Sequence, residues 1–385
     1  MEVYDELLRW AGEKGIELHG VEPRAIPGRG VGVVATKPLK ADERLLYVPT
    51  SALRTLDTVR PKIKKSLPPG TKVQAILAAE LALEKPTSKY APWTAVIPSH
   101  DSIISSLPLS WEPALHPYLP KPARSLLGKQ QSKFDRDWTA VQQHLVPALP
   151  ASQASSLTRQ RFLYAWLLVN TRTFYHETSR TARLLPKDDR MVLQPVADLF
   201  NHADGGCEVA FTPGSFTITA DREYRPGEEV CICYGRHPND FLLVEYGFVL
   251  TRNRWDEACI DDAVMPEFDD AQREALEEQG FWGKYVLDER TVCYRTQVAV
   301  RLLCVGDVEV WKGFVAEGED GGEEMQREVD RLLVRVLKRY LGKLEGTVEE
   351  LGRVEAGEPC QREVLDLRWK QIMRLIRRTI ERLET

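Results

Sequence analysis

The chain has 385 residues, 43% of them hydrophobic and 28% charged, with a formal net charge of −5. That length accommodates about two or three domains with ordinary cores, and the mildly acidic balance gives no electrostatic support to a nucleic-acid partner. Seven cysteines without a CxxC pair argue against a disulfide framework, and no run reaches the ~18 apolar residues of a membrane span, so a cytosolic or nuclear protein is expected.

Met1 to Leu18, interrupted by Asp5, Glu6, Arg9, Glu13 and Lys14, reads as an amphipathic helix rather than a signal peptide. Val31 to Ala35, flanked by Gly28, Gly30 and Gly32, and Leu45 to Val48 read as two strands with hairpin-like spacing. From about 50 to 180 the texture is helical, with helices at Val73 to Leu83, Gln130 to Val146 and Leu157 to Phe174. Pro108 to Pro122 is proline-rich and reads as irregular.

Residues 190 to 250 return to short strands, at Met191 to Val196, Val209 to Phe211, Phe216 to Thr219 and Glu229 to Cys233, with turns at Gly205-Gly206, Pro213-Gly214 and Pro226-Gly227. The remainder reads as helical. Val329, Leu333, Val336, Tyr340 and Leu344 keep helical spacing, as do Leu365, Trp369, Ile372, Ile376 and Ile380. Breaks are expected over Gly318 to Glu324 and Gly342 to Pro359, and most of Arg368, Lys370, Arg374, Arg377, Arg378 and Arg382 read as a solvated helix face. The order β, helical insert, β, helical tail defines an α+β chain whose β part is split by an insert.

Taken singly, the candidate motifs have ordinary explanations. Gly28-Arg29-Gly30-Val31-Gly32 fits a tight β turn, and it also lets a ligand approach the main chain. No helix follows these glycines, which counts against a dinucleotide fingerprint and a dinucleotide-dependent oxidoreductase. Asn201-His202 suits a loop or a site. Tyr234-Gly235, at a strand end, suits a core plug or a hydroxyl presented to a cleft. Cys231 and Cys233 with His202 or His237 lack the ligand spacing of structural zinc, and no metal is expected.

In sequence order the motifs say more. Gly30-Val31-Gly32, then a long insert, then Pro195-Val196-Ala197-Asp198-Leu199-Phe200-Asn201-His202, Gly227-Glu228-Glu229-Val230, Tyr234-Gly235 and Tyr246-Gly247-Phe248 resemble a SET-domain protein methyltransferase. The insert and helical tail resemble the branch of Rubisco large-subunit methyltransferase, which includes fungal ribosomal-protein lysine methyltransferases. The resemblance implies a SET fold of small twisted sheets with a pseudoknot. Residues 1–49 would be the N-terminal part of the SET domain, 50–180 a helical insert, and 181–250 the C-terminal part with the pseudoknot. Residues 251–385 would be an all-α domain that binds a protein substrate.

It further implies S-adenosylmethionine (SAM) as methyl donor, with Arg29, Gly30, Val31, Thr171, Arg172, Asn201, His202 and Tyr234 near it. Tyr234 would be catalytic, and Phe174, Asp198, Phe200 and Tyr246 would line a lysine channel. Arg29 stands where relatives often carry Glu, and Thr171 where they carry Ser. The implied activity is lysine N-methylation of a non-histone protein, such as a ribosomal or translation protein, by a chain expected to be a monomer. A histidine acceptor and a non-catalytic SAM-binding scaffold are the alternatives.

Overall fold

The computed structural model describes residues 2–212, 214–319 and 321–385. Its contacts divide the chain into two units. One comprises Met1–Ser110, Leu127–Arg236 and Glu245–Gly247, and the other Trp111–Leu126, His237–Val244 and Phe248–Thr385.

In the first unit the strands are β1 (Glu17–Leu18), β2 (Val21–Ile26), β3 (Gly30–Ala35), β4 (Arg44–Pro49), β5 (Thr173–Tyr175), β6 (Met191–Leu193), β7 (His202–Phe211), β8 (Ser215–Thr219) and β9 (Glu229–Val230). They form antiparallel sheets in the orders β1-β4-β8-β7, β2-β3-β9 and β5-β6. β3 is glycine-rich and exposed at its start, then buries the β-branched Val33 and Val34. Those two residues pair with Val230 and Glu229, which brings the two halves of the split β part into one sheet.

The insert supplies the core against which these sheets pack. Helix Val73–Ala82 buries Val73, Ile76, Leu77 and several alanines, whose small side chains let helix Arg159–Arg172 pack closely on it. Its first N–H, on Val73, donates to the Asp189 carboxylate at 2.8 Å, a favourable charge at a helix N-terminus. Phe134, Phe162 and Trp166 form a buried aromatic group beside it.

The segment after β9 is tied into the loop that precedes the pairing part of β7. Ile232 N–H donates to Asn201 O at 3.0 Å and Cys207 N–H to Cys231 O at 2.9 Å, and Ile232 bridges His202 and Cys207 in parallel register. This cross-tie is the pseudoknot that the resemblance implies. Gly206 permits it, because with φ at +148° a Cβ there would lie 2.5 Å from Cys231 O.

The second unit is built on helices Tyr294–Val305, Gly322–Leu351 and Pro359–Leu383, with a two-stranded ribbon of β10 (Glu257–Cys259) and β11 (Val286–Asp288). The tail is thus helical apart from this ribbon. Arg368 corrects the reading of a solvated arginine face. Its side chain is fully buried, donating from Nε to Asp240 Oδ1 at 2.7 Å, from Nη1 to Asp256 Oδ2 at 2.7 Å and from Nη2 to Glu257 O at 2.9 Å.

Other boundaries also move. Helix Gly322–Leu351 continues through Gly342 and Gly346, because burial of Tyr340, Leu344 and Leu351 outweighs the ~1 kcal/mol that each helical glycine costs. Helix Lys121–Ala140 begins inside the proline-rich stretch, with Pro122 in the first turn where its missing N–H has no partner to lose. Asn239–Tyr246, expected among strands, is a helix.

Candidate active site

Pro195 to Tyr234 build the centre of the site. Val196 has φ 75° and ψ −46°, a strained conformation for a β-branched residue and of the kind held in place at functional loops. It turns the chain into the short helix Ala197–Leu199, which carries Asp198 inward. The Asp198 side chain is fully enclosed. Trp93 Nε1 donates to both of its oxygens at 3.1 Å, and Arg172 Nη1 donates to its Oδ2 at 3.2 Å and its main-chain O at 2.6 Å. Burial pushes the Asp198 carboxyl up from its usual range, while Arg172 and Trp93 pull it back.

Tyr234 sits at the end of the cross-tied segment. Its N–H donates to His202 Nδ1 at 3.0 Å, which fixes that ring nitrogen as an acceptor. Its hydroxyl donates to Phe200 O at 2.7 Å. The phenol proton is therefore committed to a carbonyl, and the oxygen is an acceptor toward whatever enters. Burial raises the Tyr234 phenol well above its ordinary range, so it stays neutral. The ring lies 5.0 Å from His202 and 5.1 Å from Tyr246, centroid to centroid. Tyr246, also raised by burial, is pushed up to about 12.

These groups face a cavity of about 230 Å³. Of the residues expected from the sequence, Thr171, Arg172, Phe174, Asp198, Tyr234 and Tyr246 line it together. Phe200 does not: its ring is wholly buried in the core, and its carbonyl is what reaches the site. The sequence reading missed Val209, Phe211 and Phe216, which β7 and β8 contribute to the wall. The alternation of β-branched and aromatic residues in those strands was the available signal.

Arg29, Asn201 and His202 belong to an adjoining cluster organised by Glu229, the third residue of the motif Gly227-Glu228-Glu229-Val230. Glu229 accepts from Asn201 Nδ2 at 2.8 Å and pairs with Arg29, whose Nη2 donates to His202 O at 3.0 Å. Gly32 makes room for this, since a Cβ there would lie 2.7 Å from Glu229 Oε1 and 2.8 Å from Asn201 Nδ2. The main chain at Gly30 is open, with nothing within 4 Å of where a Cβ would stand. Arg172 Nε is buried without a hydrogen-bond partner, an uncommitted donor suited to a ligand carboxylate. An open main chain, a fixed amide and an uncommitted guanidinium N–H fit a ligand that carries both a nucleoside and an amino acid.

The fold and the site together define a SET-type transferase: residues 30–235 match the SET domain family, and the chain belongs to it. Residues 256–382 match the family described as the ribosomal lysine N-methyltransferase 2 C-terminal domain. Among similar proteins, SET domain-containing protein 4 of Mus musculus is 30% identical over 322 residues, spanning 78% of this chain and 72% of the relative. Ribosomal lysine N-methyltransferase set11 of Schizosaccharomyces pombe is 26% identical over 362 residues, 90% of each chain. A solved structure of Rubisco LSMT bound to sinefungin and monomethyllysine shares the fold, with a TM-score of 0.67 and 16% identity over 100% of this chain and 92% of that one.

Proposed function

We propose that this protein is a SAM-dependent protein lysine N-methyltransferase whose substrate is a non-histone protein of the ribosome or translation apparatus. The observation that carries this reading is the aromatic cavity bounded by Phe174, Phe216, Tyr234 and Tyr246, in which the one carboxylate, Asp198, is already paired with Arg172. A lysine amine has a reference pKa of about 10.4 and must arrive neutral to act as a nucleophile. A largely aromatic wall without an unpaired carboxylate favours that neutral form. The slim aliphatic stem of lysine suits such a sleeve better than an imidazole, which would need a polar partner for its second nitrogen.

SAM supplies a methyl group on a sulfonium. Arg29, Gly30 and Val31 would present main chain to it, Asn201 and His202 would hold its adenine end, and Thr171 and Arg172 would hold its amino-acid end. Tyr234 orients the reacting atoms through its oxygen, and alignment of this kind can lower a barrier by roughly 7–11 kcal/mol at best. Residues 251–385 would bind the folded protein substrate. The similarity to the ribosomal lysine N-methyltransferase set11 supports that choice, and cysteines that are all free support a cytosolic or nuclear setting.

The test is calorimetric titration with SAM, followed by tritiated-methyl transfer to a crude ribosome fraction and hydrolysis of the labelled protein. Label in methyllysine is expected. Label in methylhistidine would select the histidine alternative, and SAM binding with no label would select the scaffold.

Acceptor kcat/KM should rise with pH from about 7 to 9.5, because the neutral amine fraction grows toward the lysine pKa. Tyr234 and Tyr246 are both raised by burial, so neither should cause a falling limb in that range. A decline below pH 9 in a pH–rate series would count against a neutral phenol at Tyr234.

Gly32→Ala should weaken SAM binding about tenfold, roughly 1.4 kcal/mol, because the new methyl displaces the Glu229–Asn201 pair. Unchanged affinity by calorimetry would detach that pair from the cofactor.

A further inference from the structure

The chain carries a second cavity, of about 110 Å³, that the methyl-transfer chemistry does not use. It lies between the β5-β6 hairpin and the short helix Ser179–Leu184 that connects the two strands, with His176, Thr181, Leu184 and Met191 in its wall. His176 is 8% exposed and its Nδ1 has no hydrogen-bond partner. Burial lowers the basicity of its ring, so the cavity presents a neutral imidazole.

A single wall separates this cavity from the lysine cavity. The His176 ring lies against Phe211, which lines the other side, with centroids 4.7 Å apart and the rings tilted by 40°. A second link runs from Tyr175, also in the lysine cavity, through Glu177 to Arg190 of the second cavity. Among the described residues of this unit, the large apolar side chains left exposed, Val3 apart, gather here: Tyr175 (49%), Val209 (42%) and Phe211 (37%) at the lysine cavity and Leu184 (68%) at the second. Exposed apolar groups concentrated around a functional opening mark a contact surface.

The charges at both openings are already matched. Asp57 pairs with Arg180, Glu177 with Arg190 and Asp198 with Arg172, so no unpaired carboxylate awaits a basic flanking residue. We infer that the second cavity is a specificity subsite that seats an apolar side chain of the substrate protein, close in sequence to the methylated lysine. This rests on the lysine reading above. In extended chain at ~3.3 Å per residue, the shared wall is crossed within about three residues of the lysine. The subsite therefore selects a lysine with an apolar neighbour and disfavours a lysine inside a run of basic residues.

The test uses the full-length protein, tritiated SAM and a crude ribosome fraction, with the labelled lysine mapped by mass spectrometry. Leu184→Asp places a charge at the rim and Thr181→Trp fills the cavity. Both should raise the half-saturating concentration of the acceptor fraction at least tenfold, change kcat less than about twofold and leave the SAM dissociation constant as in wild type. Leu184→Met should restore wild-type behaviour. The mapped lysine should have an apolar residue within three positions. Variants that label as wild type, a loss confined to kcat, or a mapped lysine with only polar and charged neighbours would overturn the subsite while leaving the lysine reading intact. Label in methylhistidine, or no labelled protein at all, would overturn the lysine reading and this inference with it.

Discussion

Replacing Tyr234 by phenylalanine should lower kcat about 10²–10³-fold, the range seen when one preorganised polar group is removed from a reacting centre. The ring contacts with His202 and Tyr246 do not involve the hydroxyl, so the pocket should keep its shape. What is lost is the oxygen held by the 2.7 Å hydrogen bond to Phe200 O, together with its fixed direction into the cavity. The main chain of the variant still donates from residue 234 to His202 Nδ1, so the cross-tie and SAM affinity should be nearly intact. An interaction made only in the transition state lowers kcat and kcat/KM together. A rise in acceptor KM at constant kcat would instead make Tyr234 a binding residue. Full activity would remove it from the mechanism.

The site was legible because it depends on main chain and on a few residue types in a fixed order. Gly32 is required by close approach to Glu229 and Asn201 and Gly30 by its positive φ of 71°, while Tyr234 stands as a phenol at a strand end and Asn201-His202 as the loop that receives it. The sequence could not show how these segments meet, since β3 reaches β9 only through the Val33–Val230 and Val34–Glu229 pairs. Glu229 has the sequence pattern of any strand residue, and only the fold brings Arg29 and Asn201 to its carboxylate. Phe200 was assigned by its aromatic ring, whereas its carbonyl is the group that acts, and main-chain roles leave no mark on residue type. In the helical unit, the ribbon of β10 and β11 is three residues per strand, too short for a periodicity to register.

Arg368→Met should destabilise the helical unit by about 3–5 kcal/mol, a large part of the 5–15 kcal/mol that holds a typical domain together. Arg368 follows the same face as Leu365, Trp369 and Ile372, so helical periodicity placed it inward while its charge argued for solvent. The conflict is resolved by Asp240 and Asp256, which lie 128 and 112 residues away in sequence. The methionine would fill similar volume but leave two carboxylates buried without a counter-charge. In the wild type, burial already raises Asp240 and Arg368 opposes it. Without Arg368 the rise is larger. A carboxyl raised in the folded state favours folding at low pH and disfavours it as pH climbs through the folded pKa, so the deficit should be greatest near pH 8 and shrink toward pH 5.

The compensated variant Arg368→Met with Asp240→Leu and Asp256→Asn should recover most of the loss, because a buried ion network replaced whole by neutral groups is often no less stable. Asparagine is chosen at 256 because Asp256 Oδ1 also accepts from the Asn239 N–H at 2.9 Å, a bond its amide oxygen can keep. Urea unfolding of the three proteins at pH 5 and pH 8 measures the effect. Equal midpoints for wild type and Arg368→Met at pH 8 would show that the buried cluster contributes nothing net. A deficit equal at pH 5 and pH 8 would show that its cost is lost packing rather than uncompensated charge.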